Sequence, residues 1–123
     1  MSLEKPVIEY PGGTPPQDLQ ILDIVVGEGA EAHPGDTVEV HYVGVKFRDG
    51  EEFDASWNRG ESIEFPLQGL IQGWQEGIPG MKPGGVRRLK IPPELAYGNK
   101  EKPGIPANSV LVFEIELLSA EEK

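Results

Sequence analysis

TVEVHYVGVKF, residues 37–47, decides how this chain folds. Val38, Val40 and Tyr42 fall on one face of an extended chain, with Glu39 and His41 on the other. That period of two is the pattern of a half-buried strand. The segment runs into Asp49-Gly50, a turn signal.

Further strands follow on either side. LQILDIVVGEG (19–29) reads as a strand closed by a glycine turn, and SIEFPL (62–67) alternates Ile63, Phe65 and Leu67 against Ser62 and Glu64. Pro66 cannot donate to a ladder, so that strand end belongs at an edge or a bulge. VRRLKIP (86–92) points Leu89 and Ile91 one way, and VLVFEIELL (110–118) does the same with Leu111, Phe113, Ile115 and Leu117. LIQGWQEGI (70–78) has helical spacing, with Leu70, Ile71, Trp74 and Ile78 on one side. Its internal glycines and short length leave it dependent on tertiary support. The sum predicts an α+β domain, with an antiparallel sheet of about five strands packed by one face on a single short helix. Residues 1–18, which include PGGTPP, read as an extended arm, and 19–123 as the folded domain.

Composition narrows the function. A formal net charge of -10 with no basic cluster longer than Arg87-Arg88 argues against nucleic acid. No apolar run approaches the length that spans a bilayer, and MSLEKPVIEYPGGTPP lacks an apolar signal core. Cysteine is absent, which excludes disulfides and thiolate chemistry. The expectation is a cytoplasmic monomer with no membrane or nucleic-acid partner. Two separate histidines, His33 and His41, read as surface residues rather than metal ligands. Ser56, Ser62 and Ser109 stand in no glycine-framed elbow and have no evident base. Most of the scattered acids read as a solvated surface. No metal and no cofactor are expected.

What remains is aromatic. Tyr42, Phe53, Phe65, Trp74, Tyr97 and Phe113 are spread along the chain, several where strands give way to loops. Taken singly, Trp74 and Phe65 read as ordinary core. Tyr42 and Tyr97 carry hydroxyls that need partners if buried. Asp54 follows Phe53, and Arg59 lies five residues on, so a Tyr–Asp–Arg cluster beside an aromatic wall would fix polar groups in an otherwise dry pocket. AYGNKEKPGIPANSVLVF (96–113) places an aromatic on each side of a stiff glycine- and proline-rich loop, which reads either as an ordinary connection between two strands or as one wall of such a pocket.

VHYVGVKFRDGEEFDASWNRG, then GLIQGWQEGIPGMKPGG, RRLKIPPELAYG and VLVFEIELL together resemble the FKBP-type peptidyl-prolyl isomerases, the macrolide-binding immunophilins, over residues 19–119. The resemblance implies a twisted antiparallel sheet wrapped around one short helix. It implies Trp74 as the pocket floor, with Tyr42, Phe65 and Phe113 as walls. Phe53 and Asp54 would form another side, with Arg59 paired to Asp54. Leu70 and Ile71 would meet the substrate backbone, the Ile71 amide donating. Tyr97 would donate its hydroxyl, and Ile105 would cap the overhanging loop. Ile63 stands where many members carry an aromatic, so one wall is aliphatic, and Lys102 marks the loop. The implied partners are proline-containing polypeptides and macrolide inhibitors. The implied activity is X–Pro isomerisation in protein folding. The rival reading is a module that captures proline segments without turnover.

Overall fold

Among the described residues, six strands and one short α-helix follow one another: β1 (Gln20–Val25), β2 (Thr37–Lys46), β3 (Glu52–Ala55), β4 (Ile63–Pro66), α1 (Gln72–Gly77), β5 (Val86–Ile91) and β6 (Leu111–Glu121). The computed structural model describes residues 17–48, 50–102 and 104–121. Of the expected arm, residues 1–16 lie outside the described residues. The strands form a single antiparallel sheet ordered β1-β5-β6-β2-β3, with β4 also paired to β2.

The sequence reading is one strand short. The added strand is β3, which carries Phe53 and Asp54 and whose only apolar pair, Phe53 and Ala55, has no alternating residues beside it in the adjoining turns. The turn before it includes Gly50, at φ 72°, whose N–H donates to the Lys46 carbonyl at 2.8 Å. Asp49 lies outside the described residues. Pro66 sits at the end of β4, opposite Thr37, the place where a missing N–H costs least.

The two central strands, β2 and β6, pair along their whole length, from Thr37 opposite Glu121 to Lys46 opposite Leu111. Their inward residues are the predicted ones. Val38, Val40, Tyr42, Phe113, Ile115 and Leu117 are buried in one cluster with Leu89 and Ile91 of β5. The outer face holds the exceptions to the solvated reading of most acids. Glu114 and Glu116 are buried, and Glu114 accepts hydrogen bonds from Arg88 Nε at 2.8 Å and Nη2 at 2.5 Å. A central strand has neighbours on both sides, and their long side chains cover it.

The helix lies against β5 because of its glycines. A Cβ on Gly73 would stand 2.6 Å from Ile91 Cγ2, and one on Gly77 would stand 2.7 Å from Leu89 Cδ1. The four-residue spacing puts both on one helical face. Arg87 of β5 donates from Nη1 to the carbonyls of Gly77 (2.9 Å) and Pro79 (3.1 Å), where a cation suits the helix C-terminus. Its Nε is held by Asp23 of β1 at 2.6 Å.

Gly73→Ala sets two effects against each other. Alanine gains about 1 kcal/mol in helix propensity. Overpacking a filled core costs about 1–3 kcal/mol. Ile91 is fully buried and has no space to retreat into, so the expected result is a net loss, read as a lower melting temperature. A stabilised variant would show that the close approach is not a constraint.

Candidate active site

Where α1 begins, its first turn faces the inner side of β2 and β6, and the rings of four elements meet. Trp74 of α1 meets Phe113 of β6 at 5.2 Å between centroids and 89° between planes. It meets Tyr42 of β2 at 5.3 Å and 76°. Phe53 of β3 meets Phe113 at 5.5 Å and 89°. Edge-to-face contacts of this kind lock ring orientations. Above them opens a cleft of about 130 Å³. Trp74, Tyr42, Phe53 and Phe113 form its base and inner side, with Tyr97 beside them. Ile63, Phe65, Leu70 and Ile71 complete the rim. Phe65 is the most open of these, at 40 % exposure.

The glycine at position 44 makes this packing possible. A Cβ there would lie 2.7 Å from both Phe113 Cε1 and Phe53 Cζ. Sequence reading passed over it. The available signal was a glycine inside a strand, one period beyond Tyr42 on the inward face, which marks a close approach.

Polar groups at the cleft are few. The Tyr42 hydroxyl donates to Asp54 Oδ2. Asp54 thus stands behind the wall and does not line the cleft. Burial, and secondarily the charge of Asp54, hold the Tyr97 phenol above its ordinary pKa, so it remains a donor through the neutral range. Ile71 starts the helix, and its carbonyl accepts from Trp74 N at 3.0 Å and Gln75 N at 3.1 Å. Among the described residues its own N–H has no acceptor. The Leu70 carbonyl is taken by Gln75 Nε2 at 2.7 Å. Trp74 Nε1 is buried without an acceptor.

Two expected site residues sit elsewhere or undescribed. Ile105 is buried against the core cluster and lines a separate groove with Lys46 and Lys102, not the cleft. The loop folds back on itself. Lys102 and Ile105 exchange both backbone hydrogen bonds, at 2.9 and 2.8 Å, and Asn108 N donates to the Gly98 carbonyl at 2.8 Å. Lys102 Nζ lies 5.6 Å from the centre of the Tyr97 ring. The Arg59 side chain, expected to pair with Asp54, and Pro103 lie outside the described residues.

Two dismissed residues were misplaced. His41, read as a surface residue, is only 8 % exposed, because Trp57 stacks on its ring at 4.8 Å. Ser56, read as lacking a base, has His41 Nδ1 2.8 Å from its hydroxyl. Ser56 is fully buried, so no carbonyl reaches it and the pair is not a nucleophilic dyad. Trp57 lies on this outer side, away from the cleft lining.

The raised Tyr97 pKa carries a pH signature. A phenol whose folded value exceeds its ordinary 10.0 contributes stability that is fully present below pH 10 and is lost as pH rises through the folded value. Above about pH 10 the melting temperature of the wild type will therefore fall more steeply than that of Tyr97→Phe. Parallel curves would contradict the burial of this hydroxyl.

Comparison with known proteins agrees with this geometry. A family model described as FKBP-type peptidyl-prolyl cis-trans isomerase matches residues 28–118. A probable FK506-binding protein of Corynebacterium glutamicum is 65% identical over 119 residues, which cover 96% of this chain and 100% of that protein. An FK506-binding protein of Streptomyces anulatus is 51% identical over 123 residues, 97% of this chain and 99% of the relative. The crystal structure of AtFKBP13 superposes with a TM-score of 0.76 at 40% identity, covering 91% of this chain and 98% of that one. FkpA from Escherichia coli gives 0.79 at 47% identity, covering 85% of this chain and 48% of its own. With the family match spanning most of the sheet and every ring of the cleft, the chain belongs to the FKBP-type peptidyl-prolyl cis-trans isomerases.

Proposed function

We propose that the aromatic cleft catalyses X–Pro isomerisation by desolvating the amide and holding its flanks, and that macrolides of the class bound by its relatives occupy the same cleft. The observation that carries this reading is the dry, interlocked set of Trp74, Phe113 and Tyr42, with so few free donors around it.

Rotation about an X–Pro amide breaks no σ bond. Uncatalysed, its barrier is about 20 kcal/mol and its timescale is tens of seconds or more. Twisting removes amide resonance and reduces charge separation. Water favours the planar form by hydrogen bonding to its polarised carbonyl. A ring of apolar side chains withdraws that stabilisation and so favours the twisted state over the planar one. A million-fold gain needs only about 8 kcal/mol of such differential stabilisation.

The donors act on the flanks. Tyr97 offers its hydroxyl from one side and Ile71 its unpartnered N–H from the other, which holds the peptide in a bent form. Asp54 fixes the Tyr42 ring through the hydroxyl and organises the wall; it takes no proton in the reaction. The cleft volume of about 130 Å³ lies below the range that encloses a drug-sized ligand. A macrolide would seat one ring over Trp74 and lay the remainder across Phe65, Ile63 and Tyr97. Its rigidity lowers the entropy cost of binding.

A protease-coupled assay on a short Leu-Pro peptide tests the reading. Cis-to-trans conversion will accelerate in the presence of chelator, and a macrolide such as FK506 will suppress it while changing Trp74 emission. Trp57→Phe will retain that emission change, since Trp57 lies outside the cleft. Rates equal to the blank would refute catalysis, and if the macrolide still bound, the chain would be a proline-binding module. Loss of the emission change in Trp57→Phe would refute the cleft assignment.

A further inference from the structure

We propose that Ser56 is a positioning residue for the isomerase cleft: its buried hydroxyl replaces the strand that β2 lacks at Tyr42, and so fixes the Tyr42 wall against Asp54. This rests on the reading of the cleft given above.

On the edge of β2 away from β6, two short strands take turns as partner. β4 pairs with Thr37 to Val40, and β3 pairs with Val43 to Val45. His41 and Tyr42 fall in the gap between them. In an extended strand the N–H and C=O of one residue point to the same side, so both Tyr42 groups face this gap. The Ser56 hydroxyl meets both. Tyr42 N–H donates to Oγ at 2.7 Å, and Oγ lies 3.3 Å from the Tyr42 carbonyl. His41 Nδ1, at 2.8 Å, makes the third contact. A hydroxyl has one proton and two lone pairs, and these three neighbours use its full capacity. At 0 % exposure, Ser56 has no water to take over any of them.

The position along the chain matters as much as the bonds. Ser56 follows Asp54 by two residues, at the point where β3 passes into the single 3-10 turn Ser56–Arg59. The β2–β3 ladder is short and shifts register between Gly44 and Val45. The serine supplies a second tie between the segment that carries Asp54 and the strand that carries Tyr42, whose hydroxyl donates to that same carboxylate. The stack of Trp57 on His41 presses the 3-10 turn onto β2 and holds the serine in place. Ser56 does not itself line the cleft, so its effect on turnover runs through Tyr42 and Asp54.

The experiment is a double-mutant cycle in the isomerase assay, combined with amide exchange on the wild type. Ser56→Ala will lower kcat/KM by about tenfold, the order expected for losing a buried hydrogen-bonding group, while the cooperative melt persists. In a Tyr42→Phe background, where the hydroxyl bond to Asp54 is already gone, the same change will cost less than about twofold. Val86→Ala, a core truncation in β5, will lower the melting temperature with little effect on kcat/KM. An undiminished tenfold loss in the Tyr42→Phe background would overturn the proposal, as would full activity in Ser56→Ala. The exchange arm needs no variant. The Tyr42 amide will exchange as slowly as that of Val43, which has ladder partners on both sides; a Tyr42 amide exchanging like a free one would overturn the clamp. An inactive wild type would instead refute the isomerase reading, and the Tyr42 amide would still decide whether the clamp exists.

Discussion

The close approach of α1 to β5 is the constraint on which the cleft depends. Without Cβ atoms at Gly73 and Gly77 the helix backbone rests directly on Ile91 and Leu89. Trp74, the next residue after Gly73, is thereby set at a fixed height against β2 and β6. Phe113 and Tyr42 then meet its ring nearly at right angles. Six residues are too few for an isolated helix to persist. The fold supplies what propensity does not: a packed face beneath, the Arg87 guanidinium at the C-terminal carbonyls, and the Gln75 side chain closing back on Leu70. The glycines that weaken the helix locally are the ones that let it dock.

The chemistry asked of the site explains why so much of it is apolar. An enzyme that moves protons needs matched acids and bases; one that turns an amide needs a surface that does not solvate the planar form. The polar groups here are placed accordingly. Asp54 is occupied by Tyr42, the carbonyls near the helix start are occupied by the helix, and the Tyr97 phenol is held in its protonated form. Gly44 extends the same logic to the sheet, since it gives up a side chain so that Phe53 and Phe113 can share its space.

Much of this was legible in the sequence, for reasons that differ by residue. Long alternating segments announced β2, β5 and β6, and the inward residues of all three were named correctly because burial on one face leaves a period of two. The rings of the cleft were legible as identities and through the resemblance they carry. The rest depended on neighbours that are remote in sequence. β3 was missed because its single apolar pair, Phe53 and Ala55, sits between the Asp49-Gly50 turn signal and a 3-10 turn, with no flanking alternation to extend it. His41 was misread because the ring that covers it, Trp57, comes sixteen positions later. The burial of Glu114 was not legible because its partner Arg88 lies on another strand. Ile105 was expected at the cleft and lies in the core beside it, since a Lys102–Ile105 turn folds the loop onto itself.

The most direct test of the account is where a substrate proline sits. In an NMR experiment with a Leu-Pro peptide and catalytic amounts of labelled protein, the cis and trans peptide signals will exchange. Intermolecular contacts will run from the proline ring protons to the indole of Trp74 and the rings of Tyr42 and Phe113. Contacts to the Lys46–Lys102 groove instead, or exchange that persists unchanged when the Trp74 ring is removed by Trp74→Ala, would contradict the claim that the interlocked rings turn the bond.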